Sequence, residues 1–395
     1  MSKILSVAAE RGQHSSVTGR VCCYDSYCRL ELRPCQPLLC LALVEVGINF
    51  FPDVRPEEKP ADVYFDECLK LTAQADELGF DHIRIVEHYF ERYGGYSPNP
   101  ITFLSAASQR SRRLKLITGA VLPAFNHPLK LAGEIGMLDA ISKGRMEVGF
   151  ARAFLPHEFG RFGVALDESR ARFQEGIEIV RELLEKEQVS YKGRFHSFPP
   201  TTSLPRPTQK PRPPFWVAAL ATEESFVYAG QQGHNIMAIP MLGAKMRPLI
   251  AAYRAAHRAA GHPGPGRVML AYHMFCAEDG EKARNLARGP VNHYLKSLVE
   301  AASGWLQGAS SNDYPGYDKL IAALERETFD TVLQAGGAWA GTPDEIVAQA
   351  AAYQELVGGF EVASLQVNFA TLPFADAERS VGLFGREVLP RLRRL

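Results

Sequence analysis

The sequence predicts an α/β protein built as a (β/α)8 TIM barrel, with an insertion between strands 7 and 8. Three observations support this. From Val44 onward, short apolar runs alternate with amphipathic stretches of helical period, the pattern of repeated βα units around a parallel sheet. The runs number eight, at 43–51, 82–87, 114–121, 145–151, 215–220, 235–239, 267–276 and 360–368, and eight parallel strands with intervening helices fit a closed barrel better than an open sheet. Several runs also deliver polar groups to one end: Ile83-Arg84-Ile85-Val86 runs into Glu87-His88-Tyr89-Phe90, the fourth run into Arg152, and the fifth into Thr222. The carboxyl ends of barrel strands are where such folds build their chemistry.

Residues 1–42 precede the first run and are polar and irregular, so they read as a poorly ordered extension, with residues 43–395 forming the barrel domain. Five of the seven cysteines (Cys22, Cys23, Cys28, Cys35 and Cys40) lie in that extension, which argues against a disulfide framework for the barrel. They form no Cys-x-x-Cys pair with a matching histidine pair, so no metal site is expected. In the first helix Phe65, Cys68, Leu69, Thr72 and Ala75 form one stripe, and Gly79 stands where a left-handed C-cap belongs. Residues 199–214 are proline-rich and predict an extended surface connection rather than an element. Residues 277–341 are too long for a simple crossover and predict an insertion with helices of its own beside the barrel mouth. Thr342-Pro343-Asp344-Glu345 then supplies an N-cap hydroxyl, a proline at the first helical position and a glutamate reaching back.

Composition narrows the function classes. Lysine plus arginine equal aspartate plus glutamate at 44 each, so no global field favours nucleic acid or a membrane surface. No apolar stretch approaches the roughly 18 residues of a membrane span, and the start lacks the apolar core of a secretory signal, so the expectation is a cytoplasmic protein. Walker loop, Gly-x-Gly-x-x-Gly and Gly-x-Ser-x-Gly patterns are missing.

His88 is the first chemical candidate, because imidazole exchanges protons readily near neutral pH and this one directly follows a strand. Glu87 is either a catalytic partner or a structural ion pair with Arg84 or Arg113; strand alternation sends it away from His88 unless the chain has already turned. Arg152 suits a phosphate or carboxylate at the barrel mouth, or else pairs with Glu158 or Asp167. Glu158 itself lies in a glycine-containing loop, Glu158-Phe159-Gly160-Arg161-Phe162-Gly163, able to turn tightly near a planar ligand. Thr222 and Ser225 open the helix after the fifth strand and are either anion ligands or ordinary caps.

Taken together, Glu87-His88-Tyr89-Phe90, Val121-Leu122-Pro123 to His127-Pro128, Leu138-Asp139 with Ser142-Lys143-Gly144-Arg145, Gly149-Phe150-Ala151-Arg152 and Glu158-Phe159-x-x-Phe162-Gly163 resemble the bacterial luciferase family of flavin monooxygenases. The likeness runs from about 45 to 393. It implies a barrel that binds reduced FMN (FMNH2) at its C-terminal mouth, usually as a dimer, here read as a homodimer, fed by a separate flavin reductase. O2 would add at the flavin C4a carbon, and the resulting (hydro)peroxide would oxygenate a small-molecule substrate.

By this resemblance His88 handles protons around the flavin. Arg152, Thr222 and Ser225 fall where the family holds the FMN phosphate. Gly119 and Ala120 fall at a strand end where a non-proline cis peptide often lies under the isoalloxazine ring, and Ala151, Phe154 and Leu155 line the same cavity, with Glu158 beside them. Two positions depart from the pattern: Ala221 replaces an acidic residue near the phosphate, and Ala151 replaces a reactive cysteine, so neither light emission nor an aldehyde substrate is assumed. Phe51, Tyr89, Phe90, Tyr96, Phe154 and Trp216 are candidate substrate walls, with core packing as the rival account, and they suggest an apolar or aromatic substrate. The resemblance leaves two alternatives open, an F420-dependent oxidoreductase and a non-catalytic flavin-binding partner subunit.

Overall fold

The computed structural model describes residues 44–394 apart from 221, 241, 242 and 370; the N-terminal cysteines and Ala221 lie outside the described residues. Eleven strands follow in order: β1 (Glu45–Phe50), β2 (His82–Ile85), β3 (Lys115–Thr118), β4 (Met146–Phe150), β5 (Val189–Lys192), β6 (Ser197–Thr201), β7 (Phe215–Ala219), β8 (Asn235–Ala238), β9 (Val268–Cys276), β10 (Ala338–Gly341) and β11 (Val362–Gln366). Eight of them, β1, β2, β3, β4, β7, β8, β9 and β11, pair in parallel around a ring that closes where β11 meets β1. Each matches one of the eight apolar runs in the sequence.

Alternation along the strands gives the barrel two cores. Val46, Ile48 and Phe50 face outward and pack in one cluster with Tyr64, Cys68 and Leu71 of the helix Ala61–Leu78. Each fully buried side chain of this size contributes about 1.5–3 kcal/mol. Inside the barrel, Ile117, Trp216, Met237, Met269 and Val362 form a separate, smaller cluster. The helix ends at Gly79 with φ 85, a left-handed cap that glycine reaches without a Cβ clash. Its stripe runs through Tyr64, Cys68, Leu71, Thr72 and Ala75, while Phe65 and Leu69 are only partly buried at the edge.

Two local expectations need correction. The connection into β7 is not wholly irregular: β5 and β6 form an antiparallel hairpin, and β6 runs through Pro199 and Pro200. A two-stranded ribbon tolerates proline because each strand is an edge with one side free of ladder bonds. Residues 277–341 carry the helices Gly280–Ala301, Tyr317–Leu324 and Phe329–Gln334, and they also supply β10, which pairs in parallel with the last four residues of β9. The next helix, Pro343–Val357, starts with a capping box: the Thr342 hydroxyl accepts from Glu345 N–H and the Glu345 carboxylate accepts from Thr342 N–H. Among the described residues no helix is long and apolar enough to cross a membrane.

Candidate active site

A cavity opens at the carboxyl ends of the barrel strands. Its wall includes Phe51 after β1, Glu87 and His88 after β2, Gly119 and Ala120 after β3, Ala151, Arg152 and Phe154 after β4, and Thr222 and Ser225 after β7. The helices Gly280–Ala301 and Tyr317–Leu324 roof it with Tyr294, Leu298, Tyr317 and Ile321. The roof is fastened to the segment after β4, where Trp305 Nε1 donates to the Phe154 carbonyl (2.8 Å) and the Tyr314 hydroxyl donates to the Ala153 carbonyl (2.6 Å). Phe90 (φ 68) and Ala153 (φ 59) take left-handed backbone at these two strand exits, a conformation costing about 1–3 kcal/mol for a non-glycine residue.

His88 is nearly buried, and its Nδ1 lies 3.1 Å from Glu158 Oε1. The same oxygen accepts the Tyr89 backbone N–H at 2.9 Å, and Glu158 is fully buried. A carboxylate accepts only, so this contact assigns the proton of a neutral imidazole to Nδ1 and leaves Nε2 as the basic nitrogen. Phe51, Tyr93 and Phe154 surround the ring, with centroids 5.9, 5.1 and 6.1 Å away. A Cβ on Gly94 would lie 2.8 Å from the His88 ring, so glycine is required for that close approach.

Glu87 lines the same cavity because β2 ends at Ile85 and the chain has already turned. It pairs with neither Arg84 nor Arg113, correcting the ion-pair expectation. Its carboxyl accepts from the Tyr89 hydroxyl (2.5 Å), Asn126 Nδ2 (2.8 Å) and Leu122 N–H (3.3 Å). Burial outweighs these three donors and pushes its pKa up to about 8.

Arg152 stacks over the Tyr314 ring at 4.6 Å, and its Nη1 is buried without a partner among the described residues. The Thr222 and Ser225 hydroxyls lie 2.8 Å apart at the start of the helix Glu223–Gln231, where Thr222 occupies the N-cap position without a side-chain cap bond. A guanidinium with one open nitrogen and two hydroxyls at a helix N-terminus, all on the wall of one cavity, fit a phosphate. The Gly119–Ala120 peptide is cis. With Ala151, Ala218 and Ala271 these small residues line the cavity with apolar groups that leave room for a planar ring system, so the lining fits a flavin.

Six of the expected site residues do not line this cavity. Trp216 is fully buried near the amino-terminal end of the barrel, where its Nε1 donates to Glu147 Oε2 at 2.6 Å. Tyr96 packs on Tyr64 and donates its hydroxyl to the Lys59 carbonyl, on the wall of a different, polar pocket. Phe90 is 55% exposed and belongs with Tyr89, Phe125 and Phe162 to an aromatic group outside the cavity. Tyr89 instead holds Glu87. Leu155 is buried beneath the helix Pro156–Phe162, and Glu158 orients His88 rather than meeting a ligand.

The sequence reading missed Tyr93, Tyr294 and Tyr317, and the buried polar residues Asn49, Arg84, His273 and Gln366, all of which line the cavity. For the last four a signal existed: each is a polar residue flanked on both sides by apolar ones within a strand. Among the described residues no group of three or more His, Cys, Asp or Glu is arranged to hold a metal.

The comparisons agree with this geometry. The oxygenase component of a flavin-dependent trigonelline monooxygenase from Acinetobacter baylyi is 34% identical over 224 residues, 56% of this chain and 61% of that relative's length. Limonene 1,2-monooxygenase of Rhodococcus erythropolis is 27% identical over 310 residues, 77% of this chain and 75% of its own. The crystal structure of a monooxygenase from Streptomyces bottropensis superposes with a TM-score of 0.78 at 42% identity, covering 88% of this chain and 99% of that one. The family profile for luciferase-like monooxygenases matches residues 44–358, four fifths of the sequence, and the chain belongs to that family.

Proposed function

We propose that this protein is the oxygenase component of a two-component monooxygenase. Reduced FMN, O2 and a small apolar or aromatic molecule enter; oxidised FMN, water and a product carrying one oxygen atom leave. The observation that carries this reading is that one cavity is lined by His88, held by Glu158 through Nδ1, by Arg152, whose Nη1 has no partner among the described residues, and by the Thr222–Ser225 hydroxyl pair. The Acinetobacter relative, described as an oxygenase component, supports a separate reductase as the source of reduced flavin.

Arg152, Thr222 and Ser225 would hold the FMN phosphate, and the wall from Gly119 through Ala151 to Ala218 would take the ring system. Reduced FMN, when bound, supplies the two electrons that activate O2. His88 Nε2 accepts or returns a proton at the cavity wall, and Glu158 fixes the tautomer that makes this nitrogen available. Glu87, protonated at neutral pH, is tied to Tyr89 and Asn126 and keeps a full negative charge out of the cavity. Phe51, Tyr93, Phe154 and Tyr294 exclude water and offer aromatic contact to the substrate.

The test is an anaerobic titration with FMNH2, followed by rapid mixing with oxygenated buffer and absorbance detection of oxidised FMN. The expected result is saturable binding and a return of oxidised FMN delayed relative to free FMNH2. Oxidation at the free-flavin rate despite saturation would sink the oxygenase reading, and failure to bind FMNH2 would sink the cofactor assignment.

A further inference from the structure

The floor of the cavity carries a feature that phosphate binding and proton handling at His88 leave unused. Strand register places four polar residues in one row across four adjacent strands: His273 of β9 pairs with Gln366 of β11, Gln366 with Asn49 of β1, and Asn49 with Arg84 of β2. Residues in register across parallel strands point to the same face and lie one strand spacing apart, about 4.8 Å. All four line the cavity.

Each also has a buried polar atom with no partner among the described residues: His273 Nε2, Gln366 Nε2, Asn49 Oδ1 and Arg84 Nε. Arg84 stands out because it is a charge. It is 7% exposed, and among the described residues its polar contacts are Nη2 to the Gly119 carbonyl at 3.3 Å and Nη1 to the Met269 sulfur at 3.9 Å. A Cβ at Gly119 would come within 2.1 Å of Arg84 Nε, so glycine is what lets the guanidinium lie beneath the wall.

A buried guanidinium facing only a carbonyl and a thioether is costly, and such groups are ordinarily paired with an anion. The missing partner belongs on the cavity side. We propose that the row His273–Gln366–Asn49–Arg84 is a recognition subsite for a delocalised oxyanion on a planar ring, with Arg84 as its charge partner and the two amides as hydrogen-bonding neighbours. Two ligands carry that chemistry: an aromatic substrate bound as its phenolate or enolate, and the N1–C2=O edge of anionic reduced flavin. The second occupant rests on the flavin reading above; the first does not. The subsite selects a ring with an ionisable oxygen over a plain hydrocarbon of the same shape.

The experiment compares the wild-type chain with Arg84→Met and Arg84→Lys. The probes are 4-nitrophenol, whose ionisation is read by absorbance, and FMN and FMNH2, titrated separately under anaerobic conditions. Wild-type protein is expected to bind 4-nitrophenolate in preference to the neutral phenol, or FMNH2 in preference to FMN. Arg84→Met should weaken the preferred anion at least tenfold, with Arg84→Lys intermediate, while the thermal midpoint of Arg84→Met stays level or rises because an unpaired buried charge is gone. Loss confined to 4-nitrophenolate assigns the subsite to substrate. Loss confined to FMNH2, with a fall in the bound flavin's midpoint potential, assigns it to the cofactor. A wild-type chain that binds the phenolate through Arg84 but neither flavin form overturns the flavin reading and leaves the subsite standing. Anion binding by Arg84→Met within twofold of wild type, or no anion preference in the wild type, overturns the proposal. Should Arg84→Met fail to fold, Arg84→Lys and Gln366→Leu supply the same comparison, with the same outcomes.

Discussion

The two ends of the barrel interior treat buried polarity in opposite ways. At the amino-terminal end Glu45 and Glu147 are shared between Lys115 (3.0 and 3.4 Å) and Arg267 (2.7 and 3.5 Å), and Trp216 donates to Glu147 beneath the Arg267 guanidinium. At the carboxyl end Arg84, Arg152, Asn49, Gln366 and His273 each keep an unpartnered buried atom. The first end pairs its charges within the chain, although His82 Nδ1 there is buried without a partner among the described residues; the second leaves the polar atoms of two arginines, two amides and a histidine open to the cavity. In a barrel of this kind the closed end maintains the fold and the open end meets ligand.

That contrast makes predictions of unequal size. Trp216→Ala should be the most damaging to the fold, costing about 3–5 kcal/mol in urea unfolding because it opens a void in the interior and removes the indole donor from Glu147. Flavin affinity measured well below the melting temperature should be unchanged; a large loss of affinity would mean that the two ends are not independent. Glu158→Gln should do the reverse, lowering turnover by about 100-fold through the loss of His88 orientation, with FMN affinity within twofold. A variant with unaltered turnover would remove Glu158 from the mechanism.

Glu87 gives a pH-dependent version of the same test. Its folded-state pKa, about 8, lies above the ordinary 4.5, so the folded chain holds a proton that the unfolded chain releases. Its contribution to stability is therefore present below about pH 4.5 and is lost as pH rises through about 8. Glu87→Gln should come close to wild type at pH 5 and exceed it by on the order of 4 kcal/mol at pH 9; an equal gap at both pH values would show that the carboxyl is not raised. The smallest effect is expected for Lys115→Met, about 0.5–1 kcal/mol, because its side chain is 37% exposed and Arg267 still bridges the two glutamates. A cost of several kcal/mol would mean that the closed end depends on a single link.

The ring was legible because its strands are apolar runs separated by helices of clear period. The hairpin was hidden by Pro199 and Pro200, and β10 by the sequence Ala-Trp-Ala-Gly, which lacks β-branched residues. At the site, the expected residues His88, Arg152, Thr222 and Ser225 all line one cavity, because each follows a strand end. Trp216 was misjudged on depth: as the second residue of β7 it faces the interior, but at the level of Glu147, below the cavity. The bond from His88 to Glu158 spans 70 residues and follows no spacing rule. Arg84 was considered only as a partner for Glu87, yet it is two strand positions above His82 on the interior face, and only the assembled ring reveals that no carboxylate among the described residues meets it.

The long strand β9 has a consequence for engineering. Its first half belongs to the ring, while His273 to Cys276 pair with β10 and so tie the roof to the barrel through a backbone ladder. A chimera that borrows a roof from another family member should exchange residues 277–337 and leave both partners of that ladder in place. Since His273 pairs with β10 on one side and with Gln366 on the other, a graft that breaks the ladder would also disturb the chamber floor, whereas one that respects it exchanges Tyr294, Leu298, Tyr317 and Ile321 as a cassette.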